Sequence, residues 1–288
     1  MICSVIKRKI NKNRNKLDCS GFVLIAACLQ MVVCSVKTHA QGVAVTPSRI
    51  FFNAAAGQAI TERIRVSNTD SQMLVLSATV RDWYRDSLGN KVYFPAGSLP
   101  ASNANWIRVD PVQLMLRPHE TKEVAVSILV PDSSRGVTNS MLFLTQVNER
   151  KPVTGTDKSG KKIAMYIKVE VGIHLYNTVP GLNRKDLEFI AFEDKGANSD
   201  STRRLALTIR NRGEVPTDAM LRCELTHKTS GNSIKIPARA ISMLPGATEV
   251  IYITIPAREV KGKYQAVAIL DYGDGTDLKV AQKEIVYE

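Results

Sequence analysis

Apolar and polar residues alternate with a period of two in run after run along this chain, and that pattern restricts it to β-structure. Arg63-Ile64-Arg65-Val66-Ser67-Asn68 alternates and ends in a turn signal at Asn68-Thr69-Asp70. Residues 74–84 are strand-like and close on Asp86-Ser87-Leu88-Gly89-Asn90, where Gly and Asn tolerate positive φ. Residues 124–130 alternate and stop at Pro131-Asp132, and residues 141–147 read as another strand. The stretch 148–162, with a proline, glycines and four lysines, is too polar to pack and reads as a mobile loop.

The most informative run is 163–176. Ile163, Met165, Ile167, Val169 and Val171 point one way, while Ala164, Tyr166, Lys168 and Glu170 point the other. Such a strand is long against the usual ~5–6 residues. Residues 177–185, with Pro180 and Gly181, form an elbow. Beyond it, strand patterns recur at 187–192, 204–209, 220–226, 250–255, 264–270 and 278–287, with turns at 211–213, 230–232 and 274–275. Many short strands without amphipathic helices imply an all-β chain of two immunoglobulin-like β-sandwich domains in tandem, at 41–178 and 179–288.

Residues 1–40 are of a different kind. Lys7, Arg8, Lys9, Lys12, Arg14 and Lys16 precede an apolar stretch at 21–36, and Thr38-His39-Ala40 offers small residues before Gln41. That order predicts a cleaved signal peptide. The apolar stretch is shorter than the ~20 residues of a spanning helix, which disfavours a membrane anchor. A lipoprotein signal at Ile25-Ala26-Ala27-Cys28 is the other alternative, but cleavage there would leave an apolar run, residues 29–33, on the product. Four of the five cysteines lie in this leader, leaving Cys223 alone, so the exported product can form no internal disulfide. Stability then has to come from hydrophobic cores. The leader carries seven Lys/Arg and one acid, so half of the formal +12 departs with it. The remaining charge serves solubility better than nucleic-acid binding, since no basic run sits on a reading helix.

No catalytic constellation is apparent. His119, His174 and His227 are not spaced with cysteine or carboxylate as zinc ligands are. There is no Gly-x-Ser-x-Gly elbow, no phosphate-binding Walker loop and no dinucleotide fingerprint. Cys223 lies mid-strand among apolar neighbours and reads as core. The acidic stretch 271–277 lacks the spaced ligands of a calcium loop and reads as a hairpin turn. A non-enzyme without cofactor or metal is expected.

The order of several short patches resembles the periplasmic pilus (fimbrial) assembly chaperones, the PapD-like family, across roughly residues 43–277. Val43-Ala44-Val45-Thr46-Pro47-Ser48-Arg49-Ile50 is similar to that family's opening strand, whose arginine falls at Arg49. Val66-Ser67-Asn68 resembles the valine–x–asparagine end of its second strand. Residues 106–118 resemble its threonine–proline–proline–leucine–x–x–leucine segment, with Asp110 where threonine or serine is common. The 163–176 run resembles its donor strand, and Asp271-Tyr272-Gly273 a late Asp-Tyr-Gly.

The resemblance implies a periplasmic chaperone that donates a strand to a subunit whose own immunoglobulin-like fold lacks one. Ile163, Met165, Ile167 and Val169 would be its donor side chains. The competing assignment is that this face belongs to the domain's own core. The implied partners are pilus or other surface-protein subunits and an outer-membrane assembly pore, with no nucleic acid and no tightly bound small molecule. The family grips a subunit's C-terminal carboxylate with an arginine and a lysine, which fall here at Arg49 and His174. The histidine is a departure, because an imidazole near pKa ~6.5 carries charge only as pH falls. The arginine that follows that lysine in the family also has no counterpart: Thr178 stands near its position, which leaves Asp271 without its usual partner. A different class of function, a periplasmic or surface adaptor module, is compatible with the same fold.

Overall fold

The computed structural model describes residues 42–149, 152–199, 201–256, 260–272 and 278–287. The expected leader, with its cleavage site and Cys28, and the turn beyond Tyr272, including Gly273, lie outside these residues. The alternating runs become strands, and the strands stack as two sandwiches.

The first half contains β1 (Val43–Thr46), β2 (Arg49–Phe52), β3 (Ala59–Asn68), β4 (Leu74–Arg85), β5 (Lys91–Phe94) and β6 (Ile107–Asp110). It continues with β7 (Gln113–Leu116), β8 (Thr121–Leu129), β9 (Val137–Gln146), β10 (Val153–Thr156), β11 (Lys162–Met165) and β12 (Glu170–Thr178). One sheet runs β1-β3-β8-β6; the facing sheet runs β2-β12-β9-β4-β5, with β7 also on β4. Ile64, Val66, Val124, Val126 and Ile128 from the first meet Leu142, Leu144, Ile173 and Leu175 from the second, all at 1% exposure or less. These are the inward positions that the alternation marks.

The opening run 43–50 is two strands rather than one. β1 pairs with β3, whereas β2 lies parallel to β12 in the other sheet. Pro47 between them has no N–H for a ladder, so the chain can leave one sheet there and join the next.

The single long strand expected at 163–176 is likewise divided. β12 begins only at Glu170, while residues 166–169 lie in no sheet. The reason is the length of its neighbour: β9 ends at Gln146, whose N–H reaches Val169 O at 2.9 Å. The polar stretch expected to be a loop contains β10, which pairs with β11 as a separate hairpin. Asp157 closes that hairpin by accepting the N–H groups of Ser159 and Lys161, both at 2.9 Å.

The second half contains β13 (Leu187–Ser199), β14 (Thr202–Asn211), β15 (Thr217–His227), β16 (Ser233–Met243), β17 (Thr248–Pro256), β18 (Gly262–Asp271) and β19 (Lys279–Tyr287). Sheets β13-β14-β17 and β16-β15-β18-β19 enclose a core that includes Leu205, Leu207, Ile209, Leu225, Ile255 and Leu270. Cys223 lies in that core, 5% exposed, and burial pushes its thiol up to about 11. Strand β16 carries Pro237, which hides its strand character in the sequence. It is an edge strand, and the β15 register shifts between Leu221 and Cys223 opposite this proline.

Both sandwiches use a buried asparagine at the end of a central strand. Asn68 Nδ2 donates to the carbonyls of Gln72, Leu116 and Arg117, and Asn211 Nδ2 to those of Val215 and Met243. Tyr272 ties the start of the second sandwich to its far end. Its hydroxyl donates to Leu187 O at 2.6 Å and accepts Leu187 N–H at 2.7 Å.

Candidate functional site

Strand β12 sits between β9 and β2, and its parallel register on β2 places His174 opposite Arg49 and Tyr176 opposite Phe51. Side chains alternate across a strand, so Ile173 and Leu175 enter the core while His174 and Tyr176 project from the outer face with Arg49 and Phe51. Trp83 of β4 and Met141 and Phe143 of β9 share that outer face and are buried with Tyr176; Leu244 of the second sandwich packs against them. The Trp83 ring meets the His174 ring edge-on at 4.8 Å, and Phe51 stacks on Tyr176 at 5.0 Å. An aromatic floor therefore lies outside the first core.

Arg81 stands over the Phe143 ring of this floor at 4.6 Å, and three further cations act on His174. Burial, followed by the charges of Lys91, Arg49 and Arg85, holds the His174 imidazole down to about 4. His174 is thus neutral at neutral pH. Burial, then Arg85 and Arg49, also lowers the Lys91 ammonium. The Tyr176 phenol is pushed up to about 12, chiefly by burial. The positive charge around His174 comes from Arg49, Arg85 and Lys91.

The second sandwich contributes the opposing charges. Arg49 Nη1 donates to both Asp218 oxygens, at 2.7 and 3.0 Å. Arg85 Nε lies 3.9 Å from Glu249 Oε1, and Val250 N–H donates to Ser87 O at 2.7 Å. Burial raises the Glu249 carboxyl even though Arg85 pulls it down. Asp271 pairs with Arg222 of its own sandwich at 3.0 Å.

The four residues of the expected donor face are distributed over two segments. Ile163 and Met165 belong to β11, whereas Ile167 and Val169 follow it before β12 begins. Ile163, Met165 and Ile167 are 46%, 58% and 43% exposed, and Val169 is half-buried. On the same odd-numbered face Val171 packs against the core, and Ile173 and Leu175 are fully buried. The face therefore serves its own domain from Val171 onward, is half-buried at Val169 and faces solvent at Ile163, Met165 and Ile167.

Lys91, Arg85, Trp83 and Asp218 were not anticipated as site residues. The first three carried a signal: Arg81, Trp83 and Arg85 alternate along β4, and Arg85 and Lys91 flank a turn that puts them in register. Asp218 carried none, because it lies 169 residues from Arg49 in sequence.

No protein-family model matches the sequence, and no curated protein does so at a significant level. Solved structures do resemble the chain. One is the CsuC–CsuE chaperone–tip adhesion subunit pre-assembly complex from archaic chaperone-usher Csu pili of Acinetobacter baumannii. It is 14% identical, with a TM-score of 0.46, over 85% of this chain and 99% of that one. The CupB2 chaperone of Pseudomonas aeruginosa is 13% identical, with a TM-score of 0.42, over 85% and 100%. The Salmonella enterica SafA pilin in complex with the SafB chaperone gives 13% and 0.42, over 83% and 95%.

Proposed function

We propose that this protein is a bacterial periplasmic chaperone for pilus or other surface subunits whose β-sandwich lacks a strand. Residues 163–169 supply that strand. Arg49 holds a carboxylate of the subunit, with His174 beside it as a neutral ring. The protein acts by binding and makes or breaks no covalent bond, and a subunit held this way is passed on to an outer-membrane assembly pore.

The observation that supports this reading most directly is the divided odd-numbered face. Ile163, Met165 and Ile167 continue the periodicity of Ile173 and Leu175 yet lie beyond the core, between 43% and 58% exposed. A subunit missing a strand has the complementary defect, an apolar groove flanked by unpaired N–H and C=O groups. Pairing satisfies both partners, and covering each of these side chains is worth up to about 1.5–3 kcal/mol. Solvent exposure at these positions argues against the competing assignment to the domain's own core.

Ile167→Asp tests the reading. A carboxylate buried unpaired in the groove costs several kcal/mol. Affinity capture from periplasm should recover subunits with the native protein and lose them with the variant, while circular dichroism stays unchanged. Equal recovery, or unfolding of the variant, would count against donation by this face.

A further inference from the structure

In the unloaded protein Arg49 is already occupied. A single guanidinium nitrogen donates to both oxygens of Asp218, so a side chain of the second sandwich sits where an anionic ligand of Arg49 would sit. The pair borders a cleft lined by Arg85, Met220, Ser242, Tyr272 and Asp271, whose carboxylate is held by Arg222 at 3.0 Å.

Two properties make the contact replaceable. Both side chains are exposed, at 40% and 62%, and such pairs bias an equilibrium by no more than about fivefold. The Asp218 carboxylate makes no other hydrogen bond among the described residues, so release returns it to water without stranding a buried donor.

The surroundings favour an incoming anion. Lys91 lies opposite Arg85 in the β4–β5 register and forms no ion pair among the described residues. Arg85 meets Glu249 only at 3.9 Å. A ligand carboxylate at Arg49 would also be drawn by Arg85 of the cleft wall and by Lys91, whose charge reaches the neighbouring His174 together with theirs. An amidated or uncharged chain end would gain nothing by displacing Asp218.

We infer that Asp218 is an internal competitor for the partner's carboxylate, holding Arg49 in the unloaded protein and yielding it when that carboxylate enters the cleft beside Arg85. The inference rests on the proposed role of Arg49 as the carboxylate grip. Its consequence is selectivity: a stray anion has to displace Asp218, whereas a subunit that also pairs along residues 163–169 brings the additional binding energy to do so.

The test uses two N-acetylated pentapeptides of alternating valine and threonine, one ending in a free carboxylate and one amidated. Each is titrated into the isotope-labelled full chain, native, Asp218→Asn, Asp218→Glu or Arg49→Ala, while the backbone amides of Arg49, His174 and Asp218 are followed. The acid peptide should bind Asp218→Asn about two- to fivefold more tightly than the native protein. The amide should bind both equally, Asp218→Glu should restore native affinity, and Arg49→Ala should lose the preference for the acid. Unchanged or weaker binding of the acid to Asp218→Asn, with the native preference for acid intact, would overturn the competitor and leave the Arg49 grip standing. Equal binding of acid and amide by all four proteins would overturn both.

Discussion

His174 lies opposite Arg49 in the register of β2 and β12, yet the two do not share the work of carrying charge. Arg49 is ionised and paired with Asp218, while burial and three neighbouring cations keep the imidazole neutral. A grip that strengthens as this histidine protonates near neutral pH is therefore not what the site provides. Its charge comes from Arg49 and from the β4–β5 hairpin.

That depressed pKa has a consequence for stability. The imidazole is held down to about 4 in the fold against its ordinary 6.5, so above pH 6.5 both states are neutral and the residue contributes no pH dependence. As pH falls from 6.5 towards 4 the unfolded chain takes up the proton first, and the folded state loses up to about 3 kcal/mol, less where solvent screens the ring. Urea unfolding at pH 7 and pH 4 should thus show a steeper acid loss for the native protein than for His174→Gln. Parallel losses would contradict the assignment.

Lys91 is the first of the cations acting on His174. Replacing it by methionine keeps much of its apolar stem and removes the charge, so the imidazole pKa should rise. An NMR titration of the His174 ring protons measures this directly. An unmoved pKa would place Lys91 too far away to act on the site.

Much of this architecture was legible in the sequence because burial and periodicity agree there. Ile64 and Val66, or Ile173 and Leu175, are inward by the same alternation that identifies their strands. What stayed hidden depends on where neighbouring strands end or on contacts between distant segments. The alternation from Ile163 to Leu175 is unbroken, so nothing local reveals that β9 stops at Gln146, leaving residues 166–169 in no sheet and Ile163 and Met165 in a separate hairpin. Pro237 obscures β16 because only its edge position makes the proline tolerable. Arg49 was legible as a cation on the opening strand, whereas its partner Asp218 required the second sandwich to be in place.

Asn68 offers a check on the packing of the first sandwich. Its amide supplies three carbonyls, and its Oδ1 accepts Asp70 N–H at 3.1 Å. Asn68→Ala removes these partners from a residue 1% exposed, at an expected cost of about 1–3 kcal/mol. Asn211→Ala should cost a similar amount in the second sandwich. Urea midpoints measure both, and a change below about 0.5 kcal/mol, the usual range for surface substitutions, would show that the bonds are dispensable.

If residues 163–169 become a strand of another protein's sheet, their backbone amides gain new partners. Amide hydrogen exchange, comparing the free protein with the complex captured from periplasm, tests it most directly. In the free protein residues 166–169 lie outside any sheet, so the amides of 166–168 should exchange rapidly, and those of 170–178 slowly. In the complex, alternate amides across 163–169 should slow by on the order of a hundredfold, since a strand donates every second N–H to the neighbour on one side. Rapid exchange across 163–169 in the complex, with new protection on a different surface, would rule out strand donation by this segment.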